Sequence, residues 1–159
     1  EIKQIKEVRK IIRQKLWCGT VKIIESSVNK GLANSIIQGV DELVNRYGKI
    51  IVLEDDMETS KWFLKFMNDF LDIYEPFEDV ISATGFNYPV TKKLPEIFFL
   101  KGTFCWGWAT WQRGWDIFEP NGKKLMNELI QKNLTKEFDF NGSYYSNQML
   151  KDKIEGRND

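Results

Sequence analysis

Residues 49–56 read Lys49-Ile50-Ile51-Val52-Leu53-Glu54-Asp55-Asp56, four aliphatic side chains in a row followed at once by three carboxylates. The run 49–53 shows no polar alternation, the pattern of a strand covered on both faces, as strands of parallel sheets are. Just upstream, Leu32, Ile36, Val40, Leu43, Val44 and Tyr47 recur on one face of a helix. Gly48 then stands where a left-handed C-terminal cap belongs. Downstream, Trp62, Phe63, Phe66, Met67, Phe70, Leu71 and Tyr74 form the apolar stripe of another helix, which Pro76 stops.

Further out the patterns weaken but keep alternating. Ile5, Val8, Ile12 and Leu16 predict a helix over 3–15, and the β-branched stretch 21–25 predicts a short strand before the turn Asn29-Lys30-Gly31. An apolar strand is expected over 80–85, a loop over 88–95 with Pro89 and Pro95, and a strand over 97–100. The spacing of Trp108, Trp111 and Trp115 predicts a helix over about 107–118, and a stripe of large aromatics at that spacing is ordinarily core. Residues 123–156 read as mostly helical with a loop at Asn141-Gly142. Alternating helices and strands predict an α/β fold with right-handed crossovers and a mixed, mainly parallel sheet flanked by helices. Such a sheet holds its ligand beyond the carboxyl ends of its strands, where Glu54-Asp55-Asp56 falls.

Bulk composition narrows the chemistry. The 159 residues suit one domain, 1–159, with 42% hydrophobic and 29% charged residues. Formal net charge is zero, so no global field draws the chain to nucleic acid or an anionic membrane. No apolar run is long enough for a transmembrane segment. There is no histidine, which leaves a carboxylate, lysine, tyrosine or thiolate as any general base. Two cysteines, Cys18 and Cys105, are too few for a structural zinc site or a disulfide framework. A divalent cation would therefore take oxygen ligands, which favours Mg²⁺ or Mn²⁺.

In an extended chain Glu54 and Asp56 point one way and Asp55 the other. Three adjacent anions repel unless a cation is near, and a divalent ion bridging a diphosphate would supply one. The same carboxylates also suit a solvated acidic turn that caps the helix starting near Ser60. Spacing leaves both readings open.

The layout Val28-Asn29-Lys30-Gly31-Leu32-Ala33-Asn34-Ser35, a helix, then Ile50 through Asp56 resembles that of GT-A-fold glycosyltransferases, a Rossmann-like class. The Glu-Asp-Asp form is similar to that of bacterial sugar transferases related to the N-acetylglucosaminyltransferase I branch. Cys105-Trp106-Gly107-Trp108-Ala109-Thr110-Trp111, with Arg113 and Trp115, resembles a signature of the same bacterial proteins. This resemblance implies that Asp56 coordinates Mn²⁺ or Mg²⁺ and that Glu54 and Asp55 contact the donor's ribose or sugar, or steady the metal's waters. It also implies that Asn29 and Gly31 lie near the donor, although Asn29 suits an ordinary helix N-cap equally well. Trp106 and Gly107 would sit by the acceptor or donor sugar. Asp159 matches the general base, with Asp116 and Glu119 next in order.

The implied activity is transfer of a hexose or N-acetylhexosamine from a nucleoside diphosphate sugar to a hydroxyl of a glycan or lipid-linked acceptor, with inversion. Its setting in the bacterial relatives is the cytoplasm, at the inner membrane face. Against the family pattern the chain is expected to be a partial catalytic domain, lacking the first nucleotide-binding strand and the C-terminal part. Two rivals carry different tests. A sugar nucleotidyltransferase would consume a nucleoside triphosphate, and a non-catalytic carbohydrate-binding module would bind glycans without metal.

Overall fold

The computed structural model describes residues 2–14, 18–87 and 89–157. The chain divides into two compact units, residues 1–30 and residues 31–159. In the first, helix α1 (Ile2–Ile11) carries Arg9 and Lys10 in its last turn, where cations complement the helix dipole. Arg9 pairs with Glu25 at 3.6 Å and donates to the Ser26 carbonyl at 2.7 Å, and Arg13 pairs with the same Glu25. The strand expected over 21–25 is not formed. A strand needs a partner's ladder for its N–H and C=O groups, and arginine side chains hold this segment instead.

The second unit opens with α2 (Leu32–Tyr47), which ends as its sequence predicts. Gly48 adopts φ 76°, and its N–H donates to the Val44 carbonyl at 2.7 Å. The chain passes directly into β1 (Lys49–Val52), against which α2 packs, with Val40 and Val44 buried. After the acidic loop come α3 (Phe63–Ile73), β2 (Ser82–Thr84) and β3 (Trp108–Trp111).

The sheet overturns the expected fold class. Its three strands lie in the order β1-β3-β2, and both neighbouring pairs are antiparallel. Among the described residues there is no mainly parallel, Rossmann-like sheet of the GT-A kind. The misreading lies at β3, where tryptophans three and four residues apart imitate a single helical stripe. Residues 108–111 are instead a strand, and α4 (Gln112–Trp115) is one turn of helix beyond it. In a strand, a separation of three sends Trp108 and Trp111 to opposite faces. Trp111 enters the core, its indole donating to the Leu71 carbonyl at 3.2 Å. Trp108 stacks with Trp115, whose indole donates to Asp41 of α2.

The core lies on the α3 side. Phe63, Met67, Phe70 and Leu71 bury one stripe of that helix against Ala83, Ala109 and Trp111. Register aligns Ile51, Ala109 and Ala83 in one cross-strand row, and the two alanines leave room for α3 to approach. Burying each large side chain in that stripe contributes about 1.5–3 kcal/mol. Arg113 fastens the return from α3. Its guanidinium donates to the carbonyls of Tyr74, Glu75, Phe77 and Val80 at 2.8–3.3 Å and lies 4.0 Å from the centre of the Trp111 ring.

The expected strand over 97–100 is irregular chain with exposed apolar side chains. The polar C-terminal stretch is helical, as α5 (Gly122–Gln131), α6 (Thr135–Phe138) and α7 (Ser146–Ile154). A single 3-10 turn, Phe140–Gly142, breaks it, with Asn141 at φ 58°. Asn147 ties this region together, its side-chain amide donating to the Thr135 carbonyl and to Asp139. Among the described residues no helix is long and apolar enough to cross a membrane.

Candidate functional site

Val52 and Thr84 are both registered against Trp108, so the carboxyl ends of β1 and β2 flank the start of β3. Three connections leave this edge of the sheet: residues 53–60, residues 85–87 and the approach to β3 through Trp106 and Gly107. Between them is a cleft of about 400 Å³. Its lining includes Glu54, Asp56, Glu58, Phe86, Trp106 and Gly107.

Two glycines shape the floor. Gly85 donates its N–H to the Gly107 carbonyl at 2.8 Å, continuing the ladder one step past β2. Both lie against the ring of Phe63. A Cβ on Gly107 would stand 3.0 Å from Phe63 Cε2, and the backbone there has φ 65°, a left-handed conformation that side chains disfavour. A Cβ on Gly85 would come within 2.6 Å of the same atom. Phe86 and Trp106 meet edge to face at 4.7 Å, forming an aromatic wall.

The cleft is electrostatically one-sided. Glu54, Asp56 and Glu58 line it, and among the described residues no lysine or arginine does. Among the described residues no three His, Cys, Asp or Glu side chains converge as a ready-made metal cage. The donor set is oxygen alone, and one or two carboxylates completed by water and substrate phosphate is how Mg²⁺ is ordinarily held. The residues present therefore fit a hard divalent cation shared with a substrate, and not a closed structural metal site.

Of the residues singled out from sequence, the fold brings Glu54, Asp56, Trp106 and Gly107 together in this cleft. Asp55 is exposed in the turn and does not line it. Gly31 precedes α2 at φ 75°, and its carbonyl accepts from the Ser35 hydroxyl at 2.8 Å. Asn29 belongs to the first compact unit, and Gly31, in the second, does not line the cleft. Asp159 lies outside the described residues. Asp116 accepts from the Gln112 side chain at 2.6 Å, away from the cleft lining. Glu119 is paired with Lys124, and the Lys124 amine together with the Asn121 N–H holds its carboxyl below the usual range, which makes it a poor base.

Sequence reasoning missed Glu58 and Phe86. A signal existed for Glu58, four residues beyond Glu54 in the same polar loop, but its place in the cleft depends on how residues 55–57 turn. Phe86 offered none, because nothing local distinguishes it from a core aromatic. Cys18 and Cys105 are free, exposed thiols. Comparison of the chain with family models, curated proteins and solved structures finds no match.

Proposed function

We propose that the cleft serves metal-dependent transfer of a sugar from a nucleoside diphosphate sugar to a hydroxyl of a glycan or lipid-linked acceptor. One observation carries this reading: three carboxylates line a cleft that has an aromatic wall and, among the described residues, no basic side chain. A diphosphate would be repelled from such a cleft unless a cation came with it. Sugars suit an aromatic wall, since the indole of Trp106 can cover the apolar face of a pyranose. The likeness of the Glu-Asp-Asp run and the Cys105–Trp111 segment to bacterial sugar transferases gives the same direction, independently of the sheet's topology.

Asp56, with Glu54 beside it, would hold Mn²⁺ or Mg²⁺. The bound ion would supply positive charge against the departing diphosphate. The acceptor hydroxyl loses its proton to a carboxylate as its oxygen bonds to the anomeric carbon and the bond to the diphosphate breaks, inverting that centre. Asp159 is the candidate base from resemblance, and Glu58 is the further carboxylate that lines the cleft. The cytoplasm, at the inner membrane face, is the proposed setting, since sugar nucleotides are made there.

Calorimetric titration of nucleoside diphosphates and their sugars, with and without Mn²⁺, tests the reading. Binding that needs Mn²⁺ and disappears in Asp56→Ala is expected. Unchanged donor affinity in Asp56→Ala with metal present refutes the assignment. Glycan binding without metal would favour a carbohydrate-binding module, and turnover of nucleoside triphosphates a nucleotidyltransferase.

A further inference from the structure

Beside the acidic cleft runs a second concavity of about 430 Å³, and the two share Ser60, Phe63, Gly85 and Phe86. Its walls differ in kind. Phe66 and Phe70 of α3 form one side, and Ile97, Phe98 and Leu100 of the irregular segment form the other. Among the described residues, Glu96 is its single charged lining residue. Ser60, Ser82, Thr84, Asn87 and Thr103 also line it, between the two apolar sides, and no lysine or arginine among the described residues does, so it offers no cation to a phosphate. An uncharged hydrocarbon chain is the ligand that gains most by entering it.

We propose that this groove seats the aliphatic chain of an amphiphilic acceptor whose hydroxyl-bearing head occupies the acidic cleft. The occupant's chemistry follows from continuity. A molecule spanning both concavities must be polar and able to tolerate carboxylates at one end, and apolar and uncharged at the other. Naming that molecule an acceptor rests on the proposed transfer reaction; the hydrocarbon subsite itself does not.

The test uses n-alkyl β-glucosides from butyl to octyl, each below its micellar concentration, titrated calorimetrically into the whole chain. Each added methylene should tighten binding about two- to fourfold, at one site per chain, until the groove is filled. Ile97 and Leu100 are 50% and 57% exposed, so Ile97→Asp with Leu100→Asp spares the core. This double variant should lose the chain-length dependence while keeping Mn²⁺-dependent nucleoside diphosphate binding. Affinity independent of chain length in the unaltered protein overturns the proposal. So does the same tightening in the double variant, or sedimentation showing that a second copy of the chain fills the groove. Loss of nucleotide binding in the unaltered protein, with the alkyl series intact, would instead remove the transferase reading and leave the subsite standing.

Discussion

Arg113 belongs to the segment that resembles a transferase signature, and on that ground it could be expected to touch a donor phosphate. Its surroundings assign it to stability. The guanidinium donates to four backbone carbonyls between Tyr74 and Val80 and covers Trp111. It thereby pins the end of α3 to the strand beside which β2 lies. Charge-assisted hydrogen bonds contribute about 1.5–3 kcal/mol each when a partner is left unsatisfied, and cation–π stacking about 0.5–2 kcal/mol. Simple addition overstates the loss, because several of these carbonyls lie near the surface and would regain water. A net cost of about 2–4 kcal/mol for Arg113→Ala is the reasonable expectation.

With a urea dependence of about 2 kcal/mol per molar, the unfolding midpoint should fall by about 1–2 M. Arg113→Lys should recover little of this, since one ammonium cannot reproduce a planar fork reaching several carbonyls. Urea denaturation followed by tryptophan fluorescence reads the loss. Nucleotide binding by the folded fraction, measured in parallel, separates stability from recognition. A variant with an unchanged midpoint and abolished Mn²⁺-dependent binding would refute the structural assignment and return Arg113 to the ligand site.

Gly107→Ala should cost about 1–3 kcal/mol, since the new Cβ must accept a left-handed backbone and displace the ring of Phe63; a thermal melt indistinguishable from the parent would contradict the packing described. Asp139 supplies a pH test. The backbone N–H of Asn147, with its side-chain amide, holds the Asp139 carboxyl below its ordinary value of 3.8. The folded state thus favours the carboxylate, so this contribution is complete above the unfolded pKa and is lost as pH falls through the lowered folded value. Asp139→Asn should therefore be less stable than the parent at neutral pH, with the gap closing below about pH 4. A gap that persists unchanged to pH 2 would exclude the linkage.

What the sequence disclosed depended on whether a signal was local. The α2 helix, its Gly48 cap and the apolar run of β1 are all decided within a few residues of chain, and each forms where its pattern lies. Strand direction is not local. The run Ile50-Ile51-Val52 is equally apolar whether its neighbour runs with it or against it, and helices on either side suggested the parallel answer. The 97–100 segment shows the converse limit. Its composition is that of a strand, but composition cannot supply the partner that a strand requires. The acidic side of the candidate site was partly legible: Glu54 and Asp56 abut a strand end and line the cleft, whereas Asp55 does not and Glu58 was missed. The aromatic wall was half legible: Trp106 stood out in a distinctive segment, whereas Phe86 becomes a wall only by its contact with Trp106.

The direction of β3, a strand where the sequence predicted a helix, bears on the site more than on the core. β1 and β2 both run antiparallel to β3, so they point the same way and present their carboxyl ends at one edge. A parallel β3 would bring its own carboxyl end, Trp111, to that edge and carry Trp106 and Gly107 to the other side of the sheet. Four residues of strand would then separate them from Glu54 and Asp56, about 13 Å at the rise of a β-strand. Only an antiparallel central strand delivers the segment before β3 to the place where the chain leaves β1. The acidic run and the tryptophan-glycine pair lie about fifty residues apart in sequence and share one cleft for that reason. Any change that reversed or unpaired β3 would dismantle that cleft before it touched a single carboxylate.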